Sequence, residues 1–231
     1  MIMDYSRIRD FILSYSDDDS PKLQQIYERA VRDGVPVMRR ETRDFIRSLL
    51  SISQPGKVLE IGTAVGYSSL MMAECLEEMH ADGIYHIDTC ELDSEKIRSA
   101  KANIDLFSDK MSSITIHEGD AVSTLKGMTQ LYDFIFIDAA KAQYIHYYNE
   151  ALRLSHPGTI ILADNIFSDG DVLESHFLVE KRDRTIHDRM REFLTYVIKD
   201  PRTESSILSV ADGMLLSVVK EDLPDKRVTD I

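Results

Sequence analysis

Two short apolar runs in this 231-residue chain end in acids. "YDFIFID" over 132–138 stops at Asp138, and "GTIILAD" over 158–164 stops at Asp164, which Asn165 follows at once. If the two runs are neighbouring strands of one sheet, Asp138, Asp164 and Asn165 converge at one edge. Two carboxylates and an amide oxygen make a hard-oxygen set suited to Mg²⁺ or another divalent cation, with water or a substrate completing the shell. A lone strand-end Asp is more often a helix cap than a ligand; a pair of them with an adjoining Asn favours the metal. Lys141 stands three residues after Asp138, in the turn that opens the next helix. Beside a bound cation a lysine favours its neutral form, which can take a proton from a hydroxyl. Taken alone, Lys141 reads as an exposed helix-start residue.

A second constellation lies upstream. The run "KVLEIG" (57–62) passes into "TAVGYSS", so Gly62 and Gly66 bracket a tight turn and Ser68 falls near a helix N-terminus with free N–H groups. The G-x-x-x-G spacing is not the G-x-G-x-x-G that seats a pyrophosphate, since Ala64 does not complete it. A nucleoside without phosphates is therefore the better ligand, although a glycine pair alone is also what a plain turn needs. Glu91 ends the next apolar run, 25 residues after Gly66. A carboxylate there can accept hydrogen bonds from both ribose hydroxyls. Asp93 reads as a helix N-cap. Asp120 and Ala121, in "EGDA", either flank an adenine or simply open a helix.

These residues need a scaffold that gathers strand ends. Runs at 57–62, 84–91, 113–119, 132–138 and 158–164 are short and apolar, and helical patterns fill the gaps near 68–79, 94–107, 121–128 and 142–154. That alternation predicts a parallel α/β sheet covered on both faces, whose ligands bind beyond the carboxyl ends of the strands. A loop over 166–180, a helix over 181–199 and two strands at 205–210 and 213–220 follow. "ADG" at 211–213 marks a turn that makes the last pair an antiparallel hairpin. Residues 1–50 read as an N-terminal helical segment, with "DGVP" (33–36) breaking one helix from the next, and 56–220 as the core of a single domain.

Composition narrows the function classes. The net charge is −13, which disfavours an extended nucleic-acid surface. A local basic patch remains: Arg184, His187 and Arg191 share one face of the late helix, with Lys181, Arg182 and Arg189 close by and Arg39 and Arg40 elsewhere. The core face of that helix is read as Ile186, Met190, Phe193, Leu194 and Val197. Tyr144, Tyr147, Tyr148 and Phe167 either stack on an aromatic acceptor or pack helices. Cys75 and Cys90 read as free buried thiols in a reducing, cytoplasmic setting. No run suggests a membrane span.

In order and spacing, "VLEIGTAVGYSS", "TCELD", "EGDA", "FIDAAKAQY" and "LADNIF" resemble the catechol and caffeoyl-CoA O-methyltransferase family, from about residue 33 to 220. The resemblance implies a Rossmann-like class I methyltransferase fold: a seven-stranded, mostly parallel sheet with a terminal antiparallel hairpin and extra N-terminal helices. It implies S-adenosyl-L-methionine as donor, bound by Gly62, Gly66, Ser68, Glu91, Asp138 and Met38 of "GVPVM", with Asp120 and Ala121 on the adenine side. It further implies Asp138, Asp164 and Asn165 as metal ligands, Lys141 as catalytic base, and a homodimer. Within the family, "EKRDRTIHDRMREF" and its neighbours look most like the bacterial branch that methylates 5-hydroxyuridine at the tRNA wobble position to 5-methoxyuridine. The alternative acceptor is a small catechol-like or phenolic hydroxyl. The chain has no tryptophan, whereas catechol enzymes usually carry one in an aromatic substrate wall.

Overall fold

The computed structural model describes residues 5–80, 84–107 and 113–221. Three helices, α1 (Tyr5–Leu13), α2 (Pro21–Arg32) and α3 (Arg40–Ser53), precede strand β1 (Lys57–Ile61). Then α4 (Tyr67–Met79), β2 (His86–Glu91), α5 (Ser94–Asp105), β3 (Ile114–Glu118), α6 (Ala121–Gly127), β4 (Tyr132–Ile137), α7 (Tyr144–Arg153) and β5 (Ser155–Ala163) alternate. Helix α8 (Arg184–Ile198) and the hairpin β6 (Thr203–Leu208) and β7 (Met214–Val219) complete the order. The seven strands lie β3-β2-β1-β4-β5-β7-β6, with β7 antiparallel to both its neighbours.

The strand sequences explain why both faces are covered. Along β4, Phe134 and Phe136 pack on the side of α2, α3 and α4, while Ile135 and Ile137 pack on the side of α7 and α8. All four are fully buried. An unbroken apolar run is therefore what this central strand requires, and each such side chain contributes about 2 kcal/mol by leaving water. β1 sits between β2 and β4, so the chain reverses its direction of travel across the sheet at the β1–β4 step, where the carboxyl ends open a crevice.

The expected elements are present with shifted ends. β5 begins at Ser155 rather than 158. Pro157 and Gly158 fall at an irregularity inside the strand, where pairing jumps from Tyr132↔Ser155 to Phe134↔Ile160. β2 starts at His86, β6 covers Thr203–Leu208 instead of 205–210, and α8 starts at Arg184 instead of 181. Among the described residues, no helix is long and apolar enough to cross a membrane.

The N-terminal helices are fastened by a buried charge. Arg43 of α3 is fully buried and donates to Asp19 Oδ1 at 2.8 Å, Asp44 Oδ1 at 2.8 Å and the Asp17 carbonyl at 2.6 Å. Asp19 in turn accepts the Tyr67 hydroxyl at 2.7 Å, which ties this cluster to the start of α4. Removing one member of a buried pair leaves the other uncompensated. Arg43→Ala is expected to lower stability by about 3 kcal/mol in urea unfolding, and a loss no larger than that of an exposed Arg→Ala control would refute the role.

Candidate active site

The turn after β1 is built around a missing side chain. At Gly62 φ is +114°, and a Cβ there would lie 2.0 Å from the carbonyl oxygen of Asp138. Only glycine lets the ends of β1 and β4 come this close. Gly66 has φ +80° and caps α4. It packs toward Ala100, behind the turn, so it shapes the loop and does not line the cleft.

The cleft at the carboxyl ends has a volume of about 570 Å³. Met38, Gly62, Ser68, Glu91, Asp120, Ala121 and Asp138 all line it, as the sequence led us to expect. Lys96 and Tyr147 line it too, and no sequence signal singled out Lys96. Glu91 accepts three backbone N–H bonds, from Ala64, Leu92 and Asp93, each at 2.9 Å. It therefore locks the glycine turn to β2 and keeps lone-pair capacity for a ligand hydroxyl. Asp120 is both things that its sequence context allowed. It lines the cleft, and it caps α6 by accepting the Ser123 N–H at 2.9 Å, a bond that holds its carboxyl below the usual range.

Beneath the turn lies a residue that the sequence reading passed over. Glu60 is fully buried in β1 and accepts from the hydroxyls of Ser69 and of Thr89, the latter at 2.6 Å. Burial pushes its carboxyl up. The available signal was a glutamate interrupting an apolar central strand. Thr89 also meets Thr63 at 2.6 Å, so this polar network supports the floor of the cleft.

The acid cluster forms beside the cleft, with Asp138 common to both. β4 and β5 are paired in register to Ile137↔Ala163, which brings Asp138 and Asp164 out at adjacent ends. Asn165 adopts φ +56° and donates Nδ2–H to Asp138 Oδ1 at 3.0 Å, while its backbone N–H donates to Asp164 Oδ1 at 2.8 Å. Burial and the charge of Asp138 push Asp164 up to about 7. Burial also raises Asp138, with Asn165, Lys141 and Lys96 acting the other way. Two acids strained toward neutrality, with an amide that can turn its oxygen inward, fit a divalent cation.

Lys141 lies in a single 3-10 turn, Lys141–Gln143, with Nζ 3.9 Å from Asp212 Oδ2. Asp212 belongs to the β6–β7 turn and had no signal in sequence, being one acid among many. Its place is set by Gly213, where a Cβ would lie 2.4 Å from the Phe167 ring. Phe167 thus packs on the hairpin turn and is only partly buried there. Tyr144 and Tyr148 are buried structural groups, donating to the Asp164 carbonyl at 2.9 Å and contacting Thr203 Oγ1 at 3.0 Å. Only Tyr147 of the three tyrosines lines the cleft.

The basic face expected on α8 is largely engaged. His187 is buried, at 2% exposure, rather than lying on the polar face. Arg184 donates to the carbonyls of Val179 and Phe177, and Arg191 to those of Val172 and Glu174. Arg182 meets Glu180 and Asp183, Arg39 meets Asp169, and Arg40 meets Asp18. The two helix arginines fold the loop onto α8, because loop carbonyls need donors that the loop itself does not supply.

The sheet order and the crevice at the carboxyl ends are those of a Rossmann-like S-adenosylmethionine-dependent methyltransferase, the class to which the matching proteins belong. More narrowly, residues 13–220 match the O-methyltransferase family, and the chain belongs to it. It is 31% identical over 218 residues to a catechol O-methyltransferase of Niastella koreensis, covering 90% of this chain and 93% of that protein. A structure from Staphylococcus aureus, named provisionally as a caffeoyl-CoA O-methyltransferase, superposes with a TM-score of 0.82 at 27% identity, covering 94% of this chain and all of that one. A Bacillus cereus O-methyltransferase in complex with SAH shares the fold, with a TM-score of 0.77 at 24% identity over 93% of this chain and 97% of that one.

The raised Asp164 carboxyl makes a testable demand. An unfolded Asp ionises near about 3.9, so between there and about 7 the unfolded state sheds its proton first. Asp164 therefore contributes stability that is full below about pH 4 and is lost as pH rises through about 7. In chelator-treated protein, Asp164→Asn should raise the melting temperature at pH 7.5 and flatten its fall between pH 5 and 7.5. A variant less stable than the parent at pH 7.5 would contradict this assignment.

Proposed function

We propose that this chain is a divalent-cation-dependent O-methyltransferase whose acceptor is 5-hydroxyuridine at the wobble position of tRNA, converted to 5-methoxyuridine. The observation that carries the chemistry is the meeting of Asp138, Asp164, Asn165 and Lys141 at the ends of two adjacent strands, against the donor cleft. Asp138, Asp164 and Asn165 would hold the cation. A divalent cation there would supply Lewis-acid polarisation of the acceptor hydroxyl and of a neighbouring oxygen.

The chain's own residues account for the rest. Glu91 and the Gly62 turn hold the nucleoside part of the donor, with Met38 and Tyr147 closing the cleft. Lys141, as the amine, takes the acceptor O–H proton on Nζ, and Asp212 steadies the ammonium that results. The acceptor oxygen attacks the sulfonium methyl. An O–CH₃ bond forms, the S–CH₃ bond breaks with its pair on sulfur, and a neutral thioether leaves. Catalysis is then largely alignment of the two reactants.

The acceptor rests on the motif resemblance, and on acceptor chemistry. In 5-hydroxyuridine the 5-hydroxyl neighbours a carbonyl oxygen, as the hydroxyls of a catechol neighbour each other, so one site suits both. A small catechol-like phenol is the second reading. It is favoured by the engagement of Arg184 and Arg191 within the protein and by the name of the Niastella relative. Labelled methyl transfer to tRNA bearing 5-hydroxyuridine, run beside a catechol panel, separates the two. Transfer to the tRNA is expected, lost in chelator and restored by Mg²⁺. Turnover of a catechol without tRNA labelling would overturn the acceptor while sparing the chemistry, and full activity in excess chelator would overturn the cation. Lys141→Met should lower kcat roughly 100-fold or more with donor affinity unchanged.

The assembly we propose is a homodimer. Phe11, Ile12 and Tyr15 at the N-terminal helices are exposed by 64%, 48% and 76%, which supports an interface there. Light scattering should give twice the chain mass, reduced to one chain mass by Phe11→Glu with Tyr15→Glu; a monomeric parent rejects the dimer.

A further inference from the structure

His176, His187 and Asp188 meet where the loop after β5 joins the first turns of α8. Nδ1 of His176 lies 2.8 Å, and Nδ1 of His187 2.9 Å, from the same Asp188 Oδ1. One potential ligand atom from each residue lies within 4.8 Å of the other two. Two imidazole nitrogens and a carboxylate oxygen form a borderline donor set, unlike the all-oxygen set of Asp138, Asp164 and Asn165.

The hydrogen bonding of His187 points to a ligand. The residue is 2% exposed. Its Nδ1 faces the Asp188 carboxylate, and its Nε2 faces the Glu174 carbonyl at 3.2 Å. Both partners are acceptors, whereas a neutral imidazole has one N–H. One contact is therefore lone pair against lone pair unless Nδ1 binds a cation or a proton. A metal ion on Nδ1 leaves the N–H on Nε2 for the Glu174 carbonyl, the outer contact that ligating histidines usually keep. That carbonyl is itself fixed by Arg191 Nη2 at 2.9 Å.

We propose that His176 Nδ1, His187 Nδ1 and Asp188 Oδ1 bind Zn²⁺ or a similar borderline divalent ion, with solvent completing the shell. Ligand bonds of about 2.0–2.2 Å set tetrahedral ligands roughly 3.4 Å apart. The present 2.8 and 2.9 Å contacts reach that spacing by a small outward turn of Asp188, whose side chain is 58% exposed. His176 is 40% exposed and leaves an entry path. The ion would clamp the loop to α8 beside the anchors already made by Arg184 and Arg191. This site is independent of the proposed acceptor and of the cation at Asp164.

Calorimetry with Zn²⁺ in excess Mg²⁺ should show one equivalent bound with a micromolar or tighter Kd. Co²⁺ should give an intense visible absorption of a nitrogen-ligated, low-coordinate ion. His176→Ala, which removes a half-exposed loop side chain, should weaken Zn²⁺ binding at least tenfold and abolish the Co²⁺ band, with the circular dichroism unchanged. Asp164→Asn should leave the band in place, which separates this ion from the one at the acid cluster. Zn²⁺ should also slow proteolysis within 171–183 in the parent and not in His176→Ala. Millimolar binding only, or Zn²⁺ and Co²⁺ behaviour unaltered in His176→Ala, would overturn the proposal.

Discussion

A methyl group added at position 62 would overlap the carbonyl oxygen of Asp138, and much of the site's layout depends on that space staying empty. The contact joins the exits of β1 and β4, the two strands at which the sheet reverses its winding. Because they touch, one residue, Asp138, can border the donor cleft and the acid cluster together. A sulfonium carbon and an acceptor oxygen must approach within bonding reach, so a donor site and an acceptor site held apart by even one side-chain layer would be useless to each other. Glu91 secures the other flank of the same turn through its three N–H bonds, and buried Glu60 lies underneath.

The electrostatics of the cluster follow from its burial. Asp164 is 2% exposed and close enough to Asp138 to be affected by its charge. In a low-dielectric setting two such acids resist ionising together, so the protein by itself holds them in an unfavourable state. Lys141 and Lys96 relieve Asp138 in part. Lys141 also pairs with Asp212, so the acids of the cluster, this lysine and the hairpin acid belong to a single charge network.

Much of this was visible in the sequence, for reasons that differ by residue. "FIFID" and "IILAD" were legible because a strand buried on both faces must be apolar throughout and its first polar residue marks the exit. Glu91 and Asp93 were legible from their position after a strand and before a helix. Other features were not. The periodicity of α8 showed two faces but not what either would meet, so Arg184 and Arg191 looked free when their partners were backbone carbonyls, which carry no residue-type signature. His187 was placed on the polar face, yet the loop folds over it. Asp212 reaches Lys141 only through a long-range packing step, Phe167 against Gly213, that no local pattern records.

The position of β7 has a consequence for synthesis of the chain. β7 is the sixth strand across the sheet and the last in sequence, inserted between β5 and β6. Until residues 214–219 leave the ribosome, β5 is an open edge whose apolar stretch Ile160–Ala163 is paired to β4 but bare on its other side, the kind of edge that recruits other chains. The same residues deliver the turn that carries Asp212. A nascent chain can therefore have the donor cleft and both strand-end acids in place while still lacking the partner of Lys141, and it is most prone to aggregate during that interval. Closing the sheet and completing the charge network are then one late event.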